Sequence, residues 1–248
     1  MKIRRRPFRP VSASESYSMD RDEIRSDGVH VMAIVSSIEE TLARPGDVRH
    51  VSGSDLELYA SGGFLWERVV AEAMAASDRD VFRPGEFGWC STCHAGQGAG
   101  AALPGSWGRK HAEATGHTLI YGTPDGLSSD LVLLEEYKWT WKSENRAVTL
   151  RPDEFDALGA FVPRPDWVDD DTVEFGIWRW PIQCMSYCHL AGVERARMRV
   201  VFCNGNYKQM RPRAWEFDLA FSSAELQENW DMLVRHASAK GWLNNGTT

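Results

Sequence analysis

The stretch Leu131-Val-Leu-Leu-Glu-Glu-Tyr-Lys138 starts as an apolar run and ends in charged residues. Its composition predicts a β-strand from Leu131 to Trp141. Successive side chains of a strand point to opposite faces, so Glu136 and Lys138 share one face and Glu135 lies on the other. Charges on an apolar strand are costly to bury unless they are paired or bind a metal. We therefore predict that Glu136, and not Glu135, forms a functional pair with Lys138.

A turn-forming stretch, Gly122-Thr-Pro-Asp-Gly-Leu-Ser-Ser-Asp130, precedes that strand and follows a short predicted strand from Thr118 to Tyr121. A reversal of the chain there would bring Asp125 close to Glu136. Two converging carboxylates favour Mg²⁺ or Mn²⁺, which can polarise a phosphodiester and lower the pKa of a bound water. Lys138 would then position the attacking water or offset charge on the phosphorus.

Three motif elements together resemble a known family. Pro124-Asp125 and then Glu136-Tyr-Lys138 resemble the signature of the PD-(D/E)xK nuclease superfamily. Gln183-Cys-Met-Ser-Tyr187 is similar to the Q-x-x-x-Y motif of its RecB-like and phage lambda exonuclease-like branches, which include YqaJ-type viral recombinases. A spacing of four puts Gln183 and Tyr187 on one helical face, where both can hydrogen-bond phosphate oxygens.

The resemblance implies an α/β (α+β) fold with a restriction-endonuclease-like core, in which helices flank a central mixed β-sheet. It implies a Mg²⁺- or Mn²⁺-dependent deoxyribonuclease, with Asp125 and Glu136 as metal ligands. An upstream helix often adds a further ligand in these branches. Glu67, in a predicted helix from Phe64 to Ala76, takes that role here. Glu72 and Glu86 are alternatives to Glu67 as this further ligand.

The implied partners are DNA and a single-strand annealing or recombination protein, and a homo-oligomer is compatible with the sequence. The leading hypothesis is an exonuclease of phage-type recombination or DNA processing. One alternative is a structure-specific or restriction-like endonuclease. Another is a non-catalytic, zinc-stapled DNA-binding module on a nuclease-like scaffold.

Cys90-Ser-Thr-Cys93 has a spacing that zinc sites use, and it lies in a glycine-rich stretch with several histidines. Cys90, Cys93, His111 and His117 could form a tetrahedral Cys₂His₂ site that staples this stretch. The alternative is reduced cysteines and surface histidines. The spacing of the other three cysteines does not match the iron-sulfur cluster of some RecB-like enzymes, so no cluster is expected.

Composition describes an ordinary globular chain of 248 residues, with 43% hydrophobic residues, 25% charged residues and a net charge of −7. We predict a flexible basic and polar arm over residues 1–28 and a single nuclease domain over 29–248, with an insertion at about 82–117. No apolar run is long enough to span a membrane, and a cytoplasmic location in a bacterium or phage-infected host is expected.

The C-terminal half carries clear local patterns. Ile182 to Val193 predicts a helix, while Arg197 to Cys203 and Ala214 to Phe221 predict strands. Ser222 and Glu225 fit a capping box at the start of a final amphipathic helix.

Overall fold

The structure is a computed structural model. It describes residues 2–7, 28–42, 65–66, 68–69, 81–82, 84–94, 106–140, 179–203 and 212–243. Within those ranges the strands are β1 Lys2–Pro7, β2 Gly28–His30, β3 Val81–Phe82, β4 Phe87–Cys90, β5 Leu119–Gly122, β6 Gly126–Ser128, β7 Leu134–Thr140, β8 Arg195–Phe202 and β9 Arg213–Ala220. The helices are α1 Val31–Leu42, α2 Ser106–Thr115, α3 Arg179–Ala191 and α4 Ser223–Ala239.

The strands form two mixed sheets. The larger has the order β1-β9-β8-β7-β6-β3, in which β7 and β8 are parallel and the other pairs are antiparallel. The smaller has the order β2-β5-β4, with β2 parallel and β4 antiparallel to β5. Helices flank both sheets, which confirms the predicted α+β class, although the sequence predicted one central sheet.

Helix α3 is the centre of the core. It contacts α1 and α4 on one side and strands of both sheets on the other. Apart from Arg179 and His189, every residue of α3 is buried. A helix that is buried on all sides is surrounded by other elements, and α3 therefore links the two sheets. Its packing also fixes the side chains that it directs toward β7.

Helix α1 is built from a segment rich in β-branched residues. Val31, Ile34, Val35 and Ile38 are all buried, and their spacing is that of one helical face. Burial of that face against α3 and α4 outweighs the modest helix propensity of valine and isoleucine.

The predicted capping box of α4 is confirmed. The Ser222 side chain accepts a hydrogen bond from the Glu225 backbone N–H, and the Glu225 side chain accepts one from the Ser222 backbone N–H. The buried residues Leu226, Trp230, Leu233 and Ala237 form its predicted apolar face.

The predicted arm is wrong for residues 2–7. This segment is strand β1 and pairs along its whole length with β9. Backbone hydrogen bonds at a sheet edge do not require an apolar sequence, so basic composition did not exclude a strand. Of the rest of the predicted arm, Gly28 begins β2, and residues 1 and 8–27 lie outside the described residues.

The predicted loop or insertion contains regular structure that belongs to the main fold. Strand β4 pairs with β5, and its residue Phe87 is part of the buried core. In the predicted helix from Phe64 to Ala76, residues 65–66 and 68–69 are helical, and the others lie outside the described residues. No helix in the described ranges combines the length and apolar character needed to cross a membrane.

Candidate functional site

Asp125 immediately precedes β6, within the predicted turn-forming stretch, and the chain reverses at the end of that stretch, between β6 and β7. Strand β6 pairs antiparallel with β7, with Gly126 opposite Glu135. The Tyr137 backbone N–H donates to Asp125 Oδ2 at 2.7 Å. The turn therefore holds the Asp125 carboxylate beside the Glu136–Tyr137 peptide of β7.

Glu136, Lys138 and Gln183 form a closed hydrogen-bonded cluster. Lys138 Nζ donates to Glu136 Oε1 and, at 2.8 Å, to Gln183 Oε1. Gln183 Nε2 donates to Glu136 Oε1 at 2.7 Å. The amide of Gln183 thus presents its oxygen to the ammonium and its nitrogen to the carboxylate, which holds both charged groups in place.

Tyr187 joins this cluster one helical turn after Gln183. Gln183 Nε2 donates to the Tyr187 hydroxyl oxygen at 3.1 Å. Burial, together with the Glu136 carboxylate, raises the pKa of Tyr187 well above its ordinary value. Tyr187 is therefore a neutral phenol near neutral pH.

The charged groups of the cluster shift the pKa values of their neighbours. Burial lowers the pKa of Lys138, but the carboxylates of Glu136 and Asp125 more than offset this, and the net pKa is raised. Lys138 is therefore an ammonium at neutral pH. Cys184 lies in the same buried region, where burial and the Glu136 carboxylate raise its pKa and keep it a thiol.

Glu135 lies on the opposite face of β7, as strand alternation predicts. Arg199 Nε and Nη2 donate to its two carboxylate oxygens at 2.7 and 3.1 Å, and Nη1 donates to Glu216 Oε1 at 2.5 Å. Arg199 and Glu135 are fully buried. The two glutamates of one dipeptide thus enter different networks, one with Lys138 and one with Arg199.

Two further aromatic residues, which no sequence motif indicated, form a group with Tyr187. The His30 ring meets the Tyr121 and Tyr187 rings edge-on, with centroids 5.1 and 6.5 Å away. His30 is the last residue of β2, and Tyr121 is the last but one of β5. No local pattern identifies them, because their approach to Tyr187 depends on how α3 packs on the smaller sheet.

Asp125, Glu136, Lys138, Gln183 and Tyr187 therefore come together. Glu67, the predicted third acidic ligand, lies outside the described residues, as does its alternative Glu72. The other alternative, Glu86, immediately precedes β4.

A second group lies at the other end of the β4–β5 pair. Its members are the four residues of the predicted zinc site: Cys90, Cys93, His111 and His117. Their ligand atoms all lie within 4.8 Å of one another. This group could hold a metal ion. Its donor atoms are sulfur and imidazole nitrogen, whereas the potential ligands near Lys138 are carboxylate oxygens.

No protein-family model matches the chain, and no curated protein matches it. Among solved structures, the chain is similar to the crystal structure of SSO0001, with a TM-score of 0.41 and 9% identity over 87% of this chain and 79% of that one. It is also similar to an alkaline exonuclease from Laribacter hongkongensis, with a TM-score of 0.31 and 13% identity over 87% and 90% of the two chains. At these TM-scores neither similarity bears on function.

Proposed function

We propose that this chain is a divalent-metal-dependent DNA nuclease that hydrolyses phosphodiester bonds at the site formed by Asp125, Glu136, Lys138, Gln183 and Tyr187. The observation that carries the proposal is the single hydrogen-bonded group formed by Glu136, Lys138, Gln183 and Tyr187, beside the Asp125 carboxylate. These residues come from the two separate motifs, and the fold unites them. The exonuclease form of the proposal rests on the Q-x-x-x-Y element.

The donor set fits a hard divalent cation. Asp125 and Glu136 would hold it, since carboxylate oxygens are the ligands that Mg²⁺ and Mn²⁺ favour. A carboxylate offers about four lone-pair positions, so the hydrogen bonds to Tyr137 and Lys138 do not exhaust its capacity to bind. Two carboxylates also outnumber the single ammonium of Lys138. When bound, the cation would polarise the phosphodiester and lower the pKa of an attacking water.

The remaining side chains have distinct proposed roles. Lys138 carries a positive charge that can offset the negative charge developing on the phosphate. Gln183 is a positioning residue, because it contacts both Lys138 and Glu136 and fixes their separation. Tyr187 is a neutral phenol that orients the Gln183 amide and can donate to a phosphate oxygen.

The proposal is tested by DNA cleavage with Mg²⁺ or Mn²⁺ and two isosteric variants, Asp125→Asn and Glu136→Gln. Both variants keep an oxygen that can accept the existing hydrogen bonds, so folding should persist. We expect each to lower the cleavage rate by roughly 100-fold or more, as loss of a group that stabilises transition-state charge does. Glu228→Gln, an exposed change on α4, is the matched control and should cleave like the unmodified chain.

The DNA substrate separates the alternatives. An exonuclease degrades linear DNA and leaves covalently closed circles intact, whereas an endonuclease cuts both. Cleavage that is unchanged in Asp125→Asn would refute the site. DNA binding without any metal-dependent cleavage would instead favour the non-catalytic module.

A further inference from the structure

The described side chains of helix α2 add no apolar group to the buried core. Its side chains are described from Lys110 to Thr115, and all six are exposed or half-buried. None of them belongs to the buried core. A metal ion would therefore add binding energy to the contact of these described residues with β4 and β5.

The four cysteine and histidine residues lie on each side of that contact. Cys90 ends β4 and Cys93 follows in the adjoining turn, while His111 lies in α2 and His117 just before β5. Cys90 Sγ is 3.4 Å from His117 Nδ1, and Cys93 Sγ is 3.4 Å from His111 Nε2. Each of these pairs joins the β4 side to the α2 side.

The distances match a tetrahedral metal. Zinc bonds of about 2.3 Å to sulfur and about 2.05 Å to nitrogen place neighbouring S and N ligands about 3.6 Å apart at the tetrahedral angle. Both observed separations are close to this value, and all four atoms fall within 4.8 Å. Thiolate and imidazole select zinc over the hard cations that suit Asp125 and Glu136.

Local backbone features present His117 to the group. The helix ends at Thr115, and the next residue, Gly116, has a φ of +70°, which glycine favours, and donates its N–H to Ala112 O at 2.7 Å. The His117 backbone N–H donates to Thr115 Oγ1 at 3.2 Å. The chain thereby turns back at the end of α2 and brings His117 beside Cys90.

We propose that Cys90, Cys93, His111 and His117 bind one structural zinc ion that fastens α2 to the β4–β5 pair. Four protein ligands close the coordination shell, which is the arrangement of structural and not catalytic zinc. The ion is separate from the divalent cation of the proposed nuclease reaction, and the inference does not depend on that reaction. Zinc also steadies β5, whose far end, Gly122, lies against Tyr187.

The first test is the metal content of the full chain, purified under reducing conditions without chelator. We expect about one zinc per chain by elemental analysis. Replacement by Co²⁺ should give the strong visible absorption of tetrahedral cobalt together with a thiolate-to-cobalt charge-transfer band. A chain without zinc, or a cobalt spectrum lacking those features, would overturn the proposal.

Variants locate the ion. Cys93→Ser and His111→Ala should lose the zinc and lower Tm by roughly 5 °C or more, because metal binding contributes to folding. Cys203→Ser is the matched control, since Cys203 lies outside the group, and it should keep one zinc. Asp125→Asn should also keep it, which separates this proposal from the nuclease. Full zinc content in Cys93→Ser and His111→Ala would contradict the assignment.

Discussion

Gly122 shows how a single residue positions the cluster. A Cβ built there would lie 2.4 Å from Tyr187 Cε1 and 2.7 Å from Cδ1. The strand therefore approaches the Tyr187 ring more closely than any residue with a side chain allows. The sequence marks Gly122 only as the start of a turn, and the need for glycine comes from α3 packing over β5.

Gly122→Ala should displace the Tyr187 ring and weaken the Gln183–Tyr187 hydrogen bond. We expect a loss of about 1–3 kcal/mol of unfolding free energy, the usual cost of overpacking a core, with a parallel loss of the proposed nuclease activity. Urea unfolding and DNA cleavage measure the two effects. Gly241→Ala is the control: its φ of +69° strains an alanine, but no atom lies within 4 Å of the added Cβ, so it should leave cleavage unchanged.

Residue-scale prediction worked where backbone periodicity decides the outcome. Strand alternation separated Glu136 from Glu135, and helical spacing paired Gln183 with Tyr187. The sequence did not identify Arg199 as a network residue, although Arg197 and Arg199 are two residues apart and so share one face of β8. That pattern had a clear interpretation only after β8 was known to pair with β7, which places Arg197 opposite Glu135 and Arg199 opposite Tyr137.

At the scale of elements, Arg199 links three neighbouring strands of the larger sheet. It lies on β8 and contacts Glu135 of β7 and Glu216 of β9. Removing it would leave two carboxylates buried without their shared cation. Arg199→Met should therefore lower the unfolding free energy by about 3–5 kcal/mol.

Chemical denaturation measures this change, and Arg197→Met is its control. Arg197 is 19% exposed, bonds to the half-buried Asp218 and lies 3.7 Å from Glu135, which keeps its closer pair with Arg199, so solvent screening should make the loss of Arg197 cheaper. Adding Glu135→Gln and Glu216→Gln to Arg199→Met should recover part of the lost stability. Equal costs for Arg199→Met and Arg197→Met would refute the role assigned to the buried network.

The predicted elements that were confirmed carry their signal locally. The capping box of α4 and the strands β7, β8 and β9 are examples. Strand β6 was hidden in a turn-forming stretch, and β1 in a basic segment. Both form by pairing with a neighbouring strand, and that pairing leaves little mark on their own sequence.

At the scale of the whole molecule, the stability should depend on pH through His189. This residue of α3 stacks on Trp230 of α4, with ring centroids 4.6 Å apart. Burial lowers the pKa of His189, and the Asp231 carboxylate opposes this only in part. The folded state therefore binds fewer protons than the unfolded state just below the ordinary histidine pKa of 6.5.

It follows that the His189 contribution to stability is present above about pH 6.5 and declines as the pH falls below it. His189→Phe keeps a ring against Trp230 but cannot take up a proton. We expect its unfolding free energy to fall less steeply than that of the unmodified chain between pH 6.5 and 5.5, as measured by urea unfolding. The zinc-site histidines are common to both proteins, so a pH dependence that is the same in both would show that His189 makes no contribution.

The sequence by itself determined which faces the candidate side chains occupy, because backbone geometry sets the periods of strands and helices. It also supplied the four residues of the proposed zinc site. Only the tertiary structure decided that Asp125 reaches β7, that Gln183 bridges Glu136 and Lys138, and that Cys90 meets His117. Those contacts span 12 to 47 residues of chain, and such distances are closed by packing of the whole core, which no local pattern records.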